Sequence, residues 1–336
     1  MSCTHPLTDL KDPYGNLPTF GEYPGCPDTT FIYDDAFHIT ADLNNTLSQE
    51  HQFNIRGYGA SAITVTDSEA GAKDIEYKIR VRTNKKGFLD GITFSHPTMD
   101  DDGLGIAKSH FVIESSRPPR LRSGKFCLKY DVTISVPPGL KKLRIVPHTD
   151  SHIQFASGAR LNLDALYVNV YGKSKSTNNM IVVGKDIHVR KLSLEVYRGW
   201  IVGEAPIVEE TSISTQRGDG VANVKIFPDS NVSQKAVLQT TTGAGRSDFT
   251  YVGNSNAPKR QIQSVHLSSR NGDLYLNYRE AKFNGKIQLQ SRAHTVVGAT
   301  SFSASTQDTE WTQFVGSQDG TDEIHVNSRG WTGLYF

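Results

Sequence analysis

The most concentrated run of chemically capable residues is His148-Thr149-Asp150-Ser151-His152. Along an extended strand every second residue faces the same way, so His148, Asp150 and His152 share a face. Two imidazoles and a carboxylate are suitable ligands for zinc or non-haem iron. Their side-chain bases stand roughly 6–7 Å apart along a strand, so meeting at one ion requires marked convergence. A polar, solvent-facing strip beside Leu143 and Ile145 is the simpler reading. Met99-Asp100-Asp101-Asp102-Gly103 places carboxylates before a glycine but lacks the D-x-D-x-D-G offsets of a calcium loop. There is no G-x-S-x-G, and Cys3, Cys26 and Cys127 have no evident base partner. Pairs such as Asp34-Asp35 or Glu209-Glu210 suit a glycosidase only if the fold sets two carboxylates across a sugar. No complete catalytic set is therefore legible, and no cofactor is expected.

Cations and aromatics suggest binding instead. Arg270, Arg292 and Arg329 each close a Ser-Arg or Ser-Ser-Arg turn, and equivalent turns would line them up along one edge. Repeated turn arginines also keep a sheet edge soluble by blocking strand addition. Tyr275, Tyr278, Trp311, Trp331 and Tyr335 lie near strand ends, where flat rings can stack on sugars, fill the core or cap the last coil; a cap is the reading for Trp331 and Phe336. The densest positive stretch is Arg117 to Lys125. Lys and Arg total 36 against 35 Asp and Glu, a net charge of +1, so no general field draws in nucleic acid. Partners must be recognised locally, as a polysaccharide or a protein surface.

The elements that position these residues are strands. Period-two alternation runs through Ile63 and Val65, through Ile75, Tyr77, Ile79 and Val81, and through Val132, Ile134 and Val136. It continues through Leu166, Val168 and Val170 and through Leu192, Leu194 and Val196. Breakers such as Pro137-Pro138-Gly139 and Arg217-Gly218-Asp219-Gly220 separate the runs. The Pro- and Gly-rich residues 1–28 read as a disordered tail. Residues 29–140 read as an irregular β region with long loops, and 141–336 as a denser, repetitive one. Three cysteines are too few for a disulfide framework and read as reduced thiols. No signal peptide or membrane-spanning run is visible, so the chain as written reads as cytoplasmic.

The repetition is explicit. Val265 to Leu276 and Ile324 to Phe336 both run as an alternating strand, a Ser-Arg step, a glycine and a second alternating strand. Looser copies occur at 211–226, 237–251 and 287–292. The turn glycines Gly218, Gly243 and Gly272 are 25 and 29 residues apart, and Gly330 follows 58 later, twice 29. Units of this length suit one coil each of a β-solenoid or β-roll, because a unit with one apolar strip buries it by stacking on its neighbours. The expected fold is all-β: a solenoid-like stack of short strands preceded by a more irregular β region.

This unit resembles the adhesin-like β-strand-repeat family, a domain of unknown function. Phe31-Ile32-Tyr33-Asp34-Asp35-Ala36-Phe37, Val132 to Leu140 and Gly330-Trp331-Thr332-Gly333-Leu334-Tyr335-Phe336 resemble its fungal branch. The resemblance implies a β-solenoid or β-roll at a cell surface, often behind a membrane anchor that this sequence does not show, and supplies no catalytic residues. The expectation is a non-enzymatic adhesin-like protein presenting a repetitive β surface to polysaccharide or protein. The alternative is a polysaccharide lyase or hydrolase on the same scaffold.

Overall fold

The computed structural model describes residues 17–23, 31–32, 37–42, 49–95, 109–116, 126–172, 179–215, 220–253, 258–302 and 311–336. Strands are numbered in chain order. A first parallel ladder runs, in spatial order, through β7 (Ser109–Ser115), β3 (Glu50–Arg56), β9 (Lys142–Pro147), β11 (Asn162–Val170) and β13 (His188–Val196). It continues through β15 (Glu210–Thr215), β17 (Ala236–Thr242), β19 (Ile262–Ser268) and the first halves of β24 (Asp322–Tyr335) and β21 (Gly285–Val297). A second parallel ladder runs through β8 (Leu128–Val136), β4 (Ala60–Asp67), β10 (Asp150–Phe155), β12 (Met180–Val183) and β14 (Trp200–Ile207). Then come β16 (Val221–Pro228), β18 (Ser247–Tyr251), β20 (Leu274–Asn277) and the second halves of β24 and β21. From β9 to β20 the chain alternates between ladders strand by strand.

The alternation in sequence becomes burial on one face. In the first ladder Phe111, Phe53, Ile145, Val168, Leu194, Ile213, Thr240, His266, Val326 and Leu289 stand in one hydrogen-bonded row, all buried. In the second, Val132, Ile63, Ile153, Ile181, Ile201 and Ala222 form the matching row. The inward residues of both ladders make one continuous core. Each fully buried aliphatic side chain contributes about 1.5–3 kcal/mol, and no single strand pair could bury its strip alone. β5 (Asp74–Thr83) shows the cleanest alternation, with Ile75, Tyr77, Ile79 and Val81 all at 0 % exposure.

Both ends depart from simple stacking. At the first end, β3 and β4 sit between the later pairs β7/β8 and β9/β10. There β5 lies antiparallel on β8, β1 (Phe31–Ile32) and β2 (Phe37–Asp42) lie antiparallel on β5, and β6 (Ile92–Ser95) lies on β7. At the other end β24, last in the chain, slips between β19/β20 and β21. β23 (Gln313–Val315), itself paired to β22 (Thr300–Ser301), then lies antiparallel on β21. The 58-residue step from Gly272 to Gly330 therefore joins spatial neighbours: a Cβ on Gly330 would stand 2.2 Å from the Gly272 carbonyl oxygen. The intervening copy, 287–292, lies on the far side of β24.

Two local expectations change. Within the stretch read as a disordered tail, residues 17–23 are packed: Leu17 and Phe20 lie against an outward apolar patch of Met180, Val182, Trp200 and Val202, and Tyr23 is 9 % exposed. That patch is apolar on both strand faces, so it needs a cover. Cys127, read as a reduced thiol, is disulfide-bonded; the sequence offers Cys3 and Cys26 as partners, both outside the described residues. Among the described residues no helix is long and apolar enough to cross a membrane.

Candidate binding face

The Ser-Arg signature has a local physical cause. Ser268, Ser328 and Ser291 are in register across β19, β24 and β21. Each hydroxyl bonds the backbone two residues on: Ser268 Oγ donates to the Arg270 carbonyl at 3.0 Å and Ser291 Oγ to the Ala293 carbonyl at 2.8 Å, while Ser328 Oγ accepts from the Gly330 amide at 3.2 Å. Such short side-chain-to-backbone bonds fold a strand end into a corner. The corners stack, and Arg270, Arg329 and Arg292 emerge from adjacent strands in that spatial order, all exposed.

Beside this edge, on the outward face of the second ladder, lies an aromatic and cationic row. Asn223, Asp248, Tyr275 and Gly333 are in register across β16, β18, β20 and β24. The rings of Tyr275 and Trp331 are 4.8 Å apart and tilted by 56°. A Cβ on Gly333 would come within 2.4 Å of the Trp331 ring and 2.9 Å of the Tyr335 ring, so its missing side chain is what lets the two rings lean together. The Arg246 guanidinium lies 3.8 Å from the centre of the Tyr275 ring and that of Arg279 lies 5.3 Å from Tyr335. Arg246 also donates two hydrogen bonds to Asp248, at 2.9 and 3.0 Å. Burial pushes the Asp248 carboxyl up to about 6. Half-buried rings with fixed tilt and cations above them form a surface suited to stacking and to anionic groups.

The other candidates lie elsewhere. Tyr278 does not join this face: it is 2 % exposed and its hydroxyl meets His266 Nε2 at 2.8 Å inside the core. The reason is parity, since Leu274, Leu276 and Tyr278 point inward while Tyr275 points outward. His148 and His152 engage different neighbours, with the half-buried Asp150 between them in the chain. His148 is exposed and stacks on Tyr171 at 5.6 Å, whereas His152 is fully buried, its Nδ1 accepting from the Gly21 amide at 2.9 Å and its ring 4.5 Å from Tyr23. Among the described residues no group of three or more His, Cys, Asp or Glu is placed to hold a metal ion. Glu209 pairs with Arg190 at 2.8 Å. Trp311 meets His325 at 4.8 Å, and Phe336 packs on Phe283 at 5.2 Å. Residues 99–103 and 117–125 lie outside the described residues. Arg246, Asp248 and Gly333 escaped the reading of the sequence, although alternation around inward Ser247 and Phe249 marks the first two as outward.

No family model matches the chain, and no curated protein sequence does. Solved structures similar to it include a candidate adhesin from Bacteroides fragilis, at 12 % identity and a TM-score of 0.40 over 89 % of this chain and 96 % of that one. A candidate cell adhesion protein from Clostridium sporogenes follows at 10 % identity and a TM-score of 0.28, covering 90 % and 98 %. A candidate lipid-binding protein from Parabacteroides distasonis has 10 % identity and a TM-score of 0.32, covering 90 % and 98 %. These are bacterial proteins, not fungal ones, and at such scores no argument rests on the likeness.

Proposed function

We propose that this chain is a non-catalytic, adhesin-like binding protein, built as a β-solenoid with tucked end coils, which presents its outward face to polysaccharide. The observation that carries the reading is the fixed Tyr275–Trp331 pair beside a register of exposed arginines. Aromatic rings offer apolar faces to sugar rings, and Arg270, Arg329 and Arg292 supply forked donors for carboxylate or sulfate groups on the same polymer. A disulfide at Cys127 supports an oxidising location, such as a cell surface, over the reducing cytosol. The test is a glycan array of neutral and acidic polymers, with a cell-wall pull-down and a reducing-sugar assay. Wild type retains a polymer without cleaving it, Trp331→Ala weakens retention at least tenfold, and the triple change of Arg270, Arg292 and Arg329 to Ser removes its salt dependence. Empty arrays and pull-downs, or release of reducing sugar by the purified chain, defeat the proposal.

A further inference from the structure

The terminal strand of a parallel ladder leaves a row of backbone N–H and C=O groups with nothing to bond, so it calls for a cover. Among the described residues the cover is antiparallel. β6 lies on β7 at the start of the first ladder, β5 lies on β8 at the start of the second, and β23 lies on Gly285 to Ile287 at the end of the first. Thr312 extends that last cover, its hydroxyl accepting from the Leu289 amide at 3.2 Å. Past the Ser291 corner the pattern breaks. The second half of β21, Ala293 to Val297, ends the second ladder and pairs, among the described residues, with β24 alone. The chain then turns away at Gly298, which has φ 90°, and its next strand, β22, joins β23 beside the first ladder.

The direction of the free groups follows from one bond. The Val297 carbonyl accepts from the Phe336 amide at 2.9 Å, so Val297 faces β24. Successive residues of a strand aim their N–H and C=O to opposite sides, which turns Thr295 and Ala293 toward β24 and aims both groups of His294 and Val296 at the open side.

This edge also lacks the residues that keep edges apart. Ala293-His294-Thr295-Val296-Val297-Gly298-Ala299-Thr300 contains no Lys, Arg, Asp, Glu or Pro. The core beneath it is incompletely closed. His294 is in register with the fully buried Thr332, an inward position, yet it is exposed. Val296, Ala299 and Phe336 are only partly buried against the core, and Val297 is 44 % exposed. An open backbone edge thus runs beside an apolar margin.

We infer that this edge is a self-association surface, where the Ala293–Val297 strands of two copies pair antiparallel about a two-fold axis and join their second ladders into one sheet. A second copy fits because the edge is complementary to itself. With the axis at Thr295, His294 stands opposite the partner's Val296 and Val296 opposite the partner's His294, each pair exchanging both backbone bonds. Arg292 falls opposite the partner's Gly298, so no like charges meet. Head-to-tail growth finds no bare ladder strand at the far end, because β8 is taken by β5, itself covered by β1 and β2. Assembly therefore stops at the dimer. The inference does not depend on polymer binding, and its test uses no ligand.

The test is sedimentation velocity of the full chain over a concentration series reaching the high micromolar range, with amide exchange followed at His294 and Val296. Wild type passes from monomer to dimer, and both amides exchange more slowly as it does. Thr295→Lys, at an exposed position that meets its own copy across the axis, raises the dimer Kd by about tenfold or more while the dilute protein unfolds as wild type does. Thr295→Cys gives a disulfide-linked dimer under mild oxidation that neither wild type nor Thr241→Cys, exposed on β17, gives. A wild type that stays monomeric throughout hands the edge to another occupant and overturns the inference. So does a dimer that Thr295→Lys leaves at full strength, or one that Thr295→Cys does not cross-link.

Discussion

His266 shows how one residue can couple the core to pH. It is fully buried, with Nδ1 2.8 Å from Thr240 Oγ1 and Nε2 2.8 Å from the Tyr278 hydroxyl. Burial pushes its pKa down from 6.5 to about 3. The unfolded chain takes up a proton below its ordinary value and the folded one does not, so stability is fully present above about pH 6.5 and falls as pH drops toward 3. The slope is about 1.4 kcal/mol per pH unit, or about 2 kcal/mol between pH 7 and pH 5. Urea unfolding at the two pH values measures it, and His266→Gln, which cannot take that proton, should flatten the difference by that amount. Parallel curves for the two proteins would remove His266 from the account. The same wiring recurs at the other end, where His51 bridges Ser109 and Tyr77.

At the scale of elements, the strands and their inward faces were legible because alternation alone determines which side chains meet the core. Parity places Tyr77 and Val81 inward together, and applied past Leu276 it also places Tyr278 inward. Ser268 and Ser328 were visible as a repeat, though their hydrogen bonds to the corner were not, since a bond to the residue two positions on depends on the backbone already turning. Order in space was hidden: parallel partners are chosen by stacking, so the 58-residue step looked like two coils when it is one contact. The corner contact yields a prediction. A Cβ on Gly330 would meet the Gly272 carbonyl oxygen at 2.2 Å, whereas one on Gly139 would meet nothing within 4 Å. Gly330→Ala must push apart the corners of neighbouring hydrogen-bonded strands and should cost about 3 kcal/mol, while Gly139→Ala stays within about 0.5 kcal/mol of wild type. Chemical denaturation of the two variants decides it; equal midpoints would mean the corners do not stack as tightly as the distances require.

For the whole molecule the consequence of the tucked strands is that order along the chain is not order in space. β24 must enter between β19 and β21 after both have been synthesised, and something has to hold it there. Asp322, at its first residue, does so: its carboxylate accepts from the Ile262 amide at 2.9 Å at the start of β19, from the Asn284 amide at 2.7 Å just before β21, and from Lys259. One fully buried side chain thus ties together the three strands that cross here. Asp322→Ala leaves both amides without their acceptor, while Lys259, whose side chain is 35 % exposed, can return to water. The loss should therefore come mainly from the amides, about 3 kcal/mol in all, rather than from a stranded charge. Because the pin serves this end alone, amide exchange should speed up in β24 and β21 while β9 to β14 keep their protection. Uniform loss of protection along the chain would instead mean that the two ladders unfold as one unit and that the inserted strand has no separate lock.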